Sequence, residues 1–150
     1  MIKRILTLLG LGIALTIPAH AAPAKPNILF ILTDDQGYGD WSTNGHPLLK
    51  TPNVDKLAAE SVRLENFYVS PSCSPTRAAL LTGMHEFRSG VTHTQSPREK
   101  LWKGATTLPQ LLATAGYRNG FIGKWHLGNS GEYNPANRGF DLSLIHISEP

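Results

Sequence analysis

Apolar positions recur with two different periods along this chain, and together they predict alternating strands and helices. Ile28 to Leu32 is a short unbroken apolar run that ends at two acids and the turn-rich stretch QGYGD, 36–40. A strand buried on both faces reads this way. TPNVDKLAAES, 51–61, instead carries Val54, Leu57 and Ala58 at helical spacing. Thr51 is placed to cap that helix, and Pro52 suits its first position. VRLENFYV, 62–69, alternates in part and is rich in aromatic and β-branched residues, so it predicts a strand. SPTRAALLTG, 74–83, predicts a second helix, capped by Ser74 and stopped by Gly83. Residues 84–106 read as loop. TTLPQLLATAG, 106–116, predicts a third helix, and YRNGFIGKWHLG, 117–128, a strand running into a loop.

The order strand, helix, strand, helix, helix, strand predicts an α/β layered domain with a largely parallel sheet. Ligands in such sheets gather at the carboxyl ends of the strands. Asp34 and Asp35, Cys73, and the Lys124-Trp125-His126 segment each follow a predicted strand. Three polar clusters are therefore expected on one edge.

The 150 residues suit one modest domain, and an apolar content of 41% is ordinary. The formal net charge is +3, but Lys3 and Arg4 lie in an N-terminal segment with the layout of an export signal. It has a short basic start, an apolar stretch from Ile5 to Ile17, and a small-x-small site at Ala19-His20-Ala21. The stretch is short for a membrane span. Residues 1–21 are therefore expected to be a signal peptide, with no stable membrane anchor, and the mature protein to be periplasmic or secreted in a bacterium. Without Lys3 and Arg4 the charges nearly balance, with no basic stripe carrying interleaved aromatics, so no nucleic-acid partner is expected. Export sharpens one oddity: Cys73 is the only cysteine. It is a free thiol, an intermolecular link, a reactive group, or a buried inert side chain.

Three constellations carry candidate chemistry. Adjacent strand residues face opposite ways, so Asp34 and Asp35 meet one ligand only if the chain turns there, and Gln36-Gly37 is placed to do so. Paired carboxylates suit a hard cation such as Ca²⁺ or Mg²⁺. The alternative is one acid holding the loop and one in solvent. In CSPTR, 73–77, Cys73 precedes a helix start, where unpaired N–H groups and the helix dipole favour anions. Arg77 adds a planar cationic fork suited to a tetrahedral oxyanion. The alternative is a capped helix with a surface arginine. In GKWHLG, 123–128, Lys124 and His126 share a face if the chain is extended, where they would neutralise an anion and move protons. Trp125 would then point into packing. The alternative is a surface pair.

Together these segments resemble the N-terminal region of the sulfatase family over about residues 26–141. CSPTRAALLTG matches the family's C-x-P-x-R signature and GKWHLG its second signature. The resemblance implies an alkaline-phosphatase-like α/β fold, present as its N-terminal part (22–141), and hydrolysis of aryl or carbohydrate sulfate esters. It implies that Cys73 is oxidised to formylglycine by a maturation enzyme and acts as nucleophile and metal ligand. Asp34 and Asp35 would bind Ca²⁺, or Mg²⁺ in its place. Arg77 would hold the formylglycine hydroxyl, Lys124 would contact it and the sulfate, and His126 would be the base for sulfate release. His46, His85 and His93 match no role. A phosphonate or phosphate ester hydrolase of the same superfamily, and a non-catalytic exported anion-binding protein, are the alternative functions. RGFD, 138–141, matches the family but LSLIHISEP, 142–150, does not, and resembles translated sequencing-adapter read-through. That tail is expected to be non-native, and the chain alone inactive and poorly stable.

Overall fold

A computed structural model describes residues 25–145. The expected signal peptide, 1–21, and the end of the tail, 146–150, lie outside the described residues. The chain divides into two compact units, Met1–Leu32 and Thr33–Pro150. In the first, residues 25–32 form no helix or strand, and Leu29 and Ile31 are exposed. The buried strand expected at Ile28–Leu32 is thus not formed. A strand exists only through its ladder, and this run has no paired neighbour among the described residues.

The second unit contains α1 (Pro52–Glu60), α2 (Cys73–Thr82), α3 (Leu108–Thr114), β1 (Gly120–Gly123) and β2 (Leu142–Ile145). All three expected helices form. The strand expected at 62–69 does not, and Val62, Phe67 and Tyr68 stand exposed. β1 and β2 pair in parallel, with Gly120 opposite Leu142 and Ile122 opposite Leu144. β2 falls in the stretch 142–150, the tail expected to be non-native. Its ladder is built from backbone groups, which any residue but proline supplies.

α1 is held by polar contacts rather than by its apolar stripe, for Leu57 is largely exposed. Asp55 accepts hydrogen bonds from the Ser42 hydroxyl (2.6 Å), the Thr43 N–H (2.9 Å) and the Thr51 hydroxyl (3.0 Å). α3 starts with a reciprocal cap: the Gln110 side-chain oxygen accepts from the Thr107 N–H at 2.9 Å.

The core gathers Ala78 of α2, Val91, Leu101 and Ala105 of the long loop, and Trp125 and Leu127 beyond β1. Phe121 and Phe140 pack against it. Trp125 meets Phe121 edge-on at 5.4 Å and Phe140 at 6.0 Å between ring centroids. Its indole N–H, which burial would otherwise strand, donates to the carbonyls of Gly128 and Tyr133, both at 2.9 Å. Trp125 therefore points into packing, as its place between Lys124 and His126 suggested.

Buried Arg138 closes this core from the RGFD segment. It donates to the carbonyls of Lys103 (2.9 Å), Ala105 (2.7 Å) and Trp102 (3.3 Å). Thr107 donates back to the Arg138 carbonyl at 2.6 Å. Gly139 follows in the left-handed region, at φ 96°, where an added Cβ would sit 2.5 Å from the Gln110 nitrogen. Asn119 binds the same corner through its side chain, donating to the carbonyls of Pro109 and Gly139. Arg138→Met keeps apolar bulk but leaves three carbonyls without their donor. Urea unfolding is expected to show a loss of about 3 kcal/mol, and an unchanged midpoint would remove Arg138 from the core's support.

Candidate active site

Three loops and one helix start build the site. α2 begins at Cys73 itself, two residues earlier than expected, with Ser72 rather than Ser74 at the cap. Pro75 then occupies the third helical position, where its missing N–H is among those a helix leaves unpaired anyway. The helix ends as expected at Gly83, φ 64°. Ala78, wholly buried on α2, anchors the helix so that Cys73 projects from its start, half-buried.

Asp34 and Asp35 sit in a bend, and the turn is made by Asp35 itself at φ 51° rather than by Gln36-Gly37. Aspartate tolerates this left-handed conformation better than most residues. The turn lets both acids face one place. Oxygen atoms of Asp34 and Asp35 and the Cys73 sulfur all lie within 4.8 Å of one another. The closest Cys73 Sγ to Asp35 Oδ1 separation is 4.0 Å.

Asp34 is also the hub of the cationic groups. The Arg77 guanidinium donates to its Oδ1 at 3.1 Å, and the Lys124 ammonium to its Oδ2 at 2.9 Å. Lys124 Nζ also lies 3.6 Å from Cys73 Sγ. Arg77 is not a surface arginine: it is 9% exposed, and a second nitrogen donates to the Lys124 carbonyl at 2.6 Å. Its hydrogen-bond partners are thus Asp34 and the Lys124 backbone rather than Cys73. Burial pushes the Asp34 carboxyl up, but the hydrogen bonds from Lys124 and Arg77, with their charges, outweigh it and hold the carboxyl below its ordinary value of 3.8.

His126 is placed differently. It adopts φ 56°, so the chain is not extended there and the shared face expected for Lys124 and His126 does not arise. Its ring Nε2 lies 2.8 Å from the Thr94 carbonyl. Among the described residues its ring is not hydrogen-bonded to Cys73 or to either aspartate. Sequence reasoning missed Thr94, whose contribution is a backbone oxygen that every residue carries. Of the histidines without an assigned role, His46 accepts from the N–H groups of Leu48 and Leu49, and His93 from that of Gln95, so both organise loops.

Residues 26–148 match the sulfatase family. The chain belongs to the sulfatase family. It is 43% identical over 139 residues to N-acetylgalactosamine-6-sulfatase of Mus musculus, covering 85% of this chain and 27% of that protein. It is 48% identical over 120 residues to arylsulfatase G of Canis lupus familiaris, covering 78% and 22%. Among solved structures, Ps i-CgsB superposes with a TM-score of 0.73 at 36% identity, over 81% of this chain and 28% of that one. BT4656, solved in complex with its substrate D-glucosamine-2-N,6-O-disulfate, gives 0.66 at 38% identity, over 77% and 22%. The chain thus spans about a quarter of the length of the curated sulfatases it matches. The α/β, alkaline-phosphatase-like fold class agrees with these neighbours, with the parallel β1–β2 pair as its sheet among the described residues. No helix among the described residues is long and apolar enough to cross a membrane.

The donor set fits a hard cation on one side. Asp34 and Asp35 offer carboxylate oxygens, and those of Asp34 keep lone pairs beyond the two they give to Arg77 and Lys124. Sulfur is a poor ligand for Ca²⁺ or Mg²⁺, but an oxygen at residue 73 would make the set all-oxygen. Three residues fill part of the six to eight positions Ca²⁺ takes.

The lowered carboxyl of Asp34 has a sign that can be tested. A folded-state pKa below the unfolded one contributes stability that is present above the unfolded pKa and lost as pH falls through the folded one. Lys124→Met removes a donor and a charge. The Asp34 midpoint, followed by carboxyl NMR, is expected to rise in the variant, so that this contribution is lost at higher pH. An unmoved midpoint would mean that Lys124 does not hold Asp34 ionised.

Proposed function

We propose that this chain carries the nucleophile-bearing part of an exported sulfate ester hydrolase acting on sulfated carbohydrates or aryl sulfates. The observation that carries this reading is the cluster at the start of α2. Cys73 stands with two carboxylates within 4.8 Å and the Lys124 ammonium at 3.6 Å. The substrate class draws on the relatives, among them an N-acetylgalactosamine-6-sulfatase and BT4656 with its disulfated glucosamine.

In this reading a formylglycine-generating maturation enzyme, using an external oxidant, takes two electrons from the Cys73 β-carbon and expels its sulfur as sulfide, leaving an aldehyde that hydrates to two hydroxyls on one carbon. Asp34, Asp35 and the converted residue 73 would hold a divalent cation, Ca²⁺ or Mg²⁺. A cation bound there would acidify the attacking hydroxyl and offset sulfate charge. Residue 73 attacks sulfur through one hydroxyl, and the alcohol departs. His126 removes the proton of the second hydroxyl, the aldehyde reforms and sulfate leaves. Lys124 neutralises the sulfate oxygens while remaining bonded to Asp34. Arg77 braces Asp34 and the Lys124 backbone, which keeps the metal side and the sulfate side in register.

The test combines two measurements on the intact gene product, co-expressed with a maturation enzyme. Peptide mass spectrometry at residue 73 is expected to show loss of sulfur and gain of an aldehyde. Sulfate release is expected to disappear in Cys73→Ala, to fall about 10²-fold or more in Lys124→Ala, and to fall on chelation and return with Ca²⁺. A persistent thiol with no hydrolysis would support an anion-binding protein instead. Faster turnover of phosphate than of sulfate esters would assign the chain to the phosphate branch of the superfamily.

A further inference from the structure

Two features of His126 remain unused by the cluster around Cys73. Its backbone is left-handed at φ 56°, a strained conformation for a non-glycine residue. Its Nδ1 is buried and has no hydrogen-bond partner among the described residues. Both are held in place from outside. Trp125 and Leu127 on either side are buried to 1% and 0% exposure, so the backbone at 126 cannot relax without unpacking the core. The ring is tied at its other nitrogen to Thr94.

Thr94 itself sits in a closed turn. The N–H groups of Thr92 and His93 both donate to the Arg98 carbonyl, at 3.0 and 3.4 Å. Arg98 N–H donates to the Gln95 carbonyl at 2.9 Å, and Gln95 N–H to His93 Nδ1 at 3.2 Å. The turn therefore presents the Thr94 carbonyl from a fixed place. A carbonyl only accepts, so the 2.8 Å contact requires the proton on His126 Nε2. The neutral ring then carries its lone pair on Nδ1.

We propose that the Thr94 carbonyl is a positioning group of the site. It fixes His126 as the Nε2–H tautomer and so makes Nδ1 the atom that takes the proton from the hydroxyl at residue 73. This assignment rests on the hydrolase reading for the proton's origin, while the tautomer and its cause stand on the geometry alone.

The experiment uses the intact gene product labelled with [¹⁵N]histidine. Long-range proton–nitrogen spectra near neutral pH are recorded, with the His126 signals identified by their loss in His126→Gln. The expected result is a protonated, pyrrole-type Nε2 and a bare, pyridine-type Nδ1. The opposite tautomer, or a ring protonated at both nitrogens, overturns the assignment. A second readout compares His126→Gln with His126→Asn by hydrogen exchange at the amides of Thr92, His93 and Arg98. The Gln amide nitrogen reaches the place of Nε2 and keeps the tie, whereas Asn is too short. Exchange is expected to be about fivefold faster in the Asn variant, the equivalent of one net hydrogen bond. Equal rates in the two variants overturn the anchoring role. Neither readout needs a converted Cys73 or turnover, so each fails separately from the sulfatase reading.

Discussion

The Asp34 carboxylate is the interaction on which the site depends. One oxygen takes the Arg77 guanidinium from α2, and the other takes the Lys124 ammonium from the loop beyond β1. These partners lie 43 and 90 residues away in sequence. No local rule of helix or turn brings them together. A half-exposed ion pair is weak on its own. Here the guanidinium is buried and also binds the Lys124 backbone, so the three groups form a closed ring in which each bond aligns the next. The cost of burying Arg77 is met within that ring, and Cys73 is oriented as a by-product, four residues before Arg77 on the same helix.

The ring also sets the charge of the site. Asp34 and Asp35 bring two negative charges, and Arg77 and Lys124 two positive ones. A divalent cation held by the carboxylates and a singly charged sulfate ester would leave a modest positive surplus, which favours negative charge developing on sulfate oxygens. A doubly charged phosphate monoester would cancel that surplus. The preference between the two esters is then a matter of how much further positive charge surrounds the pocket.

Much of the site was legible in the sequence because side-chain identity carries it. Two adjacent acids, C-x-P-x-R and GKWHLG named the participants, and the helix behind Cys73 was visible in its own capping and its terminal glycine. The misplaced helix start has a local cause. Serines flank Cys73 on both sides, and a proline fits the first or the third helical position equally, since both N–H groups go unpaired. The strands were misread for a non-local reason. Ile28–Leu32 and 62–69 have strand composition, but a strand requires a partner, and composition does not supply one. The orientation of His126 was hidden for a third reason. A single left-handed residue undoes the alternation that a pattern reading assumes, and its cause lies in Trp125 and Leu127 being locked into the core on either side.

Lys124 is held through its side chain and through its backbone, by different means. Asp34 reads its ammonium, while Arg77 reads its carbonyl. The carbonyl is blind to the identity of the residue, so the docking of α2 is inherited by whatever side chain stands at position 124. Chemistry at that position is therefore free to diverge while the scaffold stays intact. Position 34 has no such freedom, because both cations read its side chain. The ring thus contains one replaceable joint and one fixed pin, and variation in what this cleft recognises has an open route through the joint.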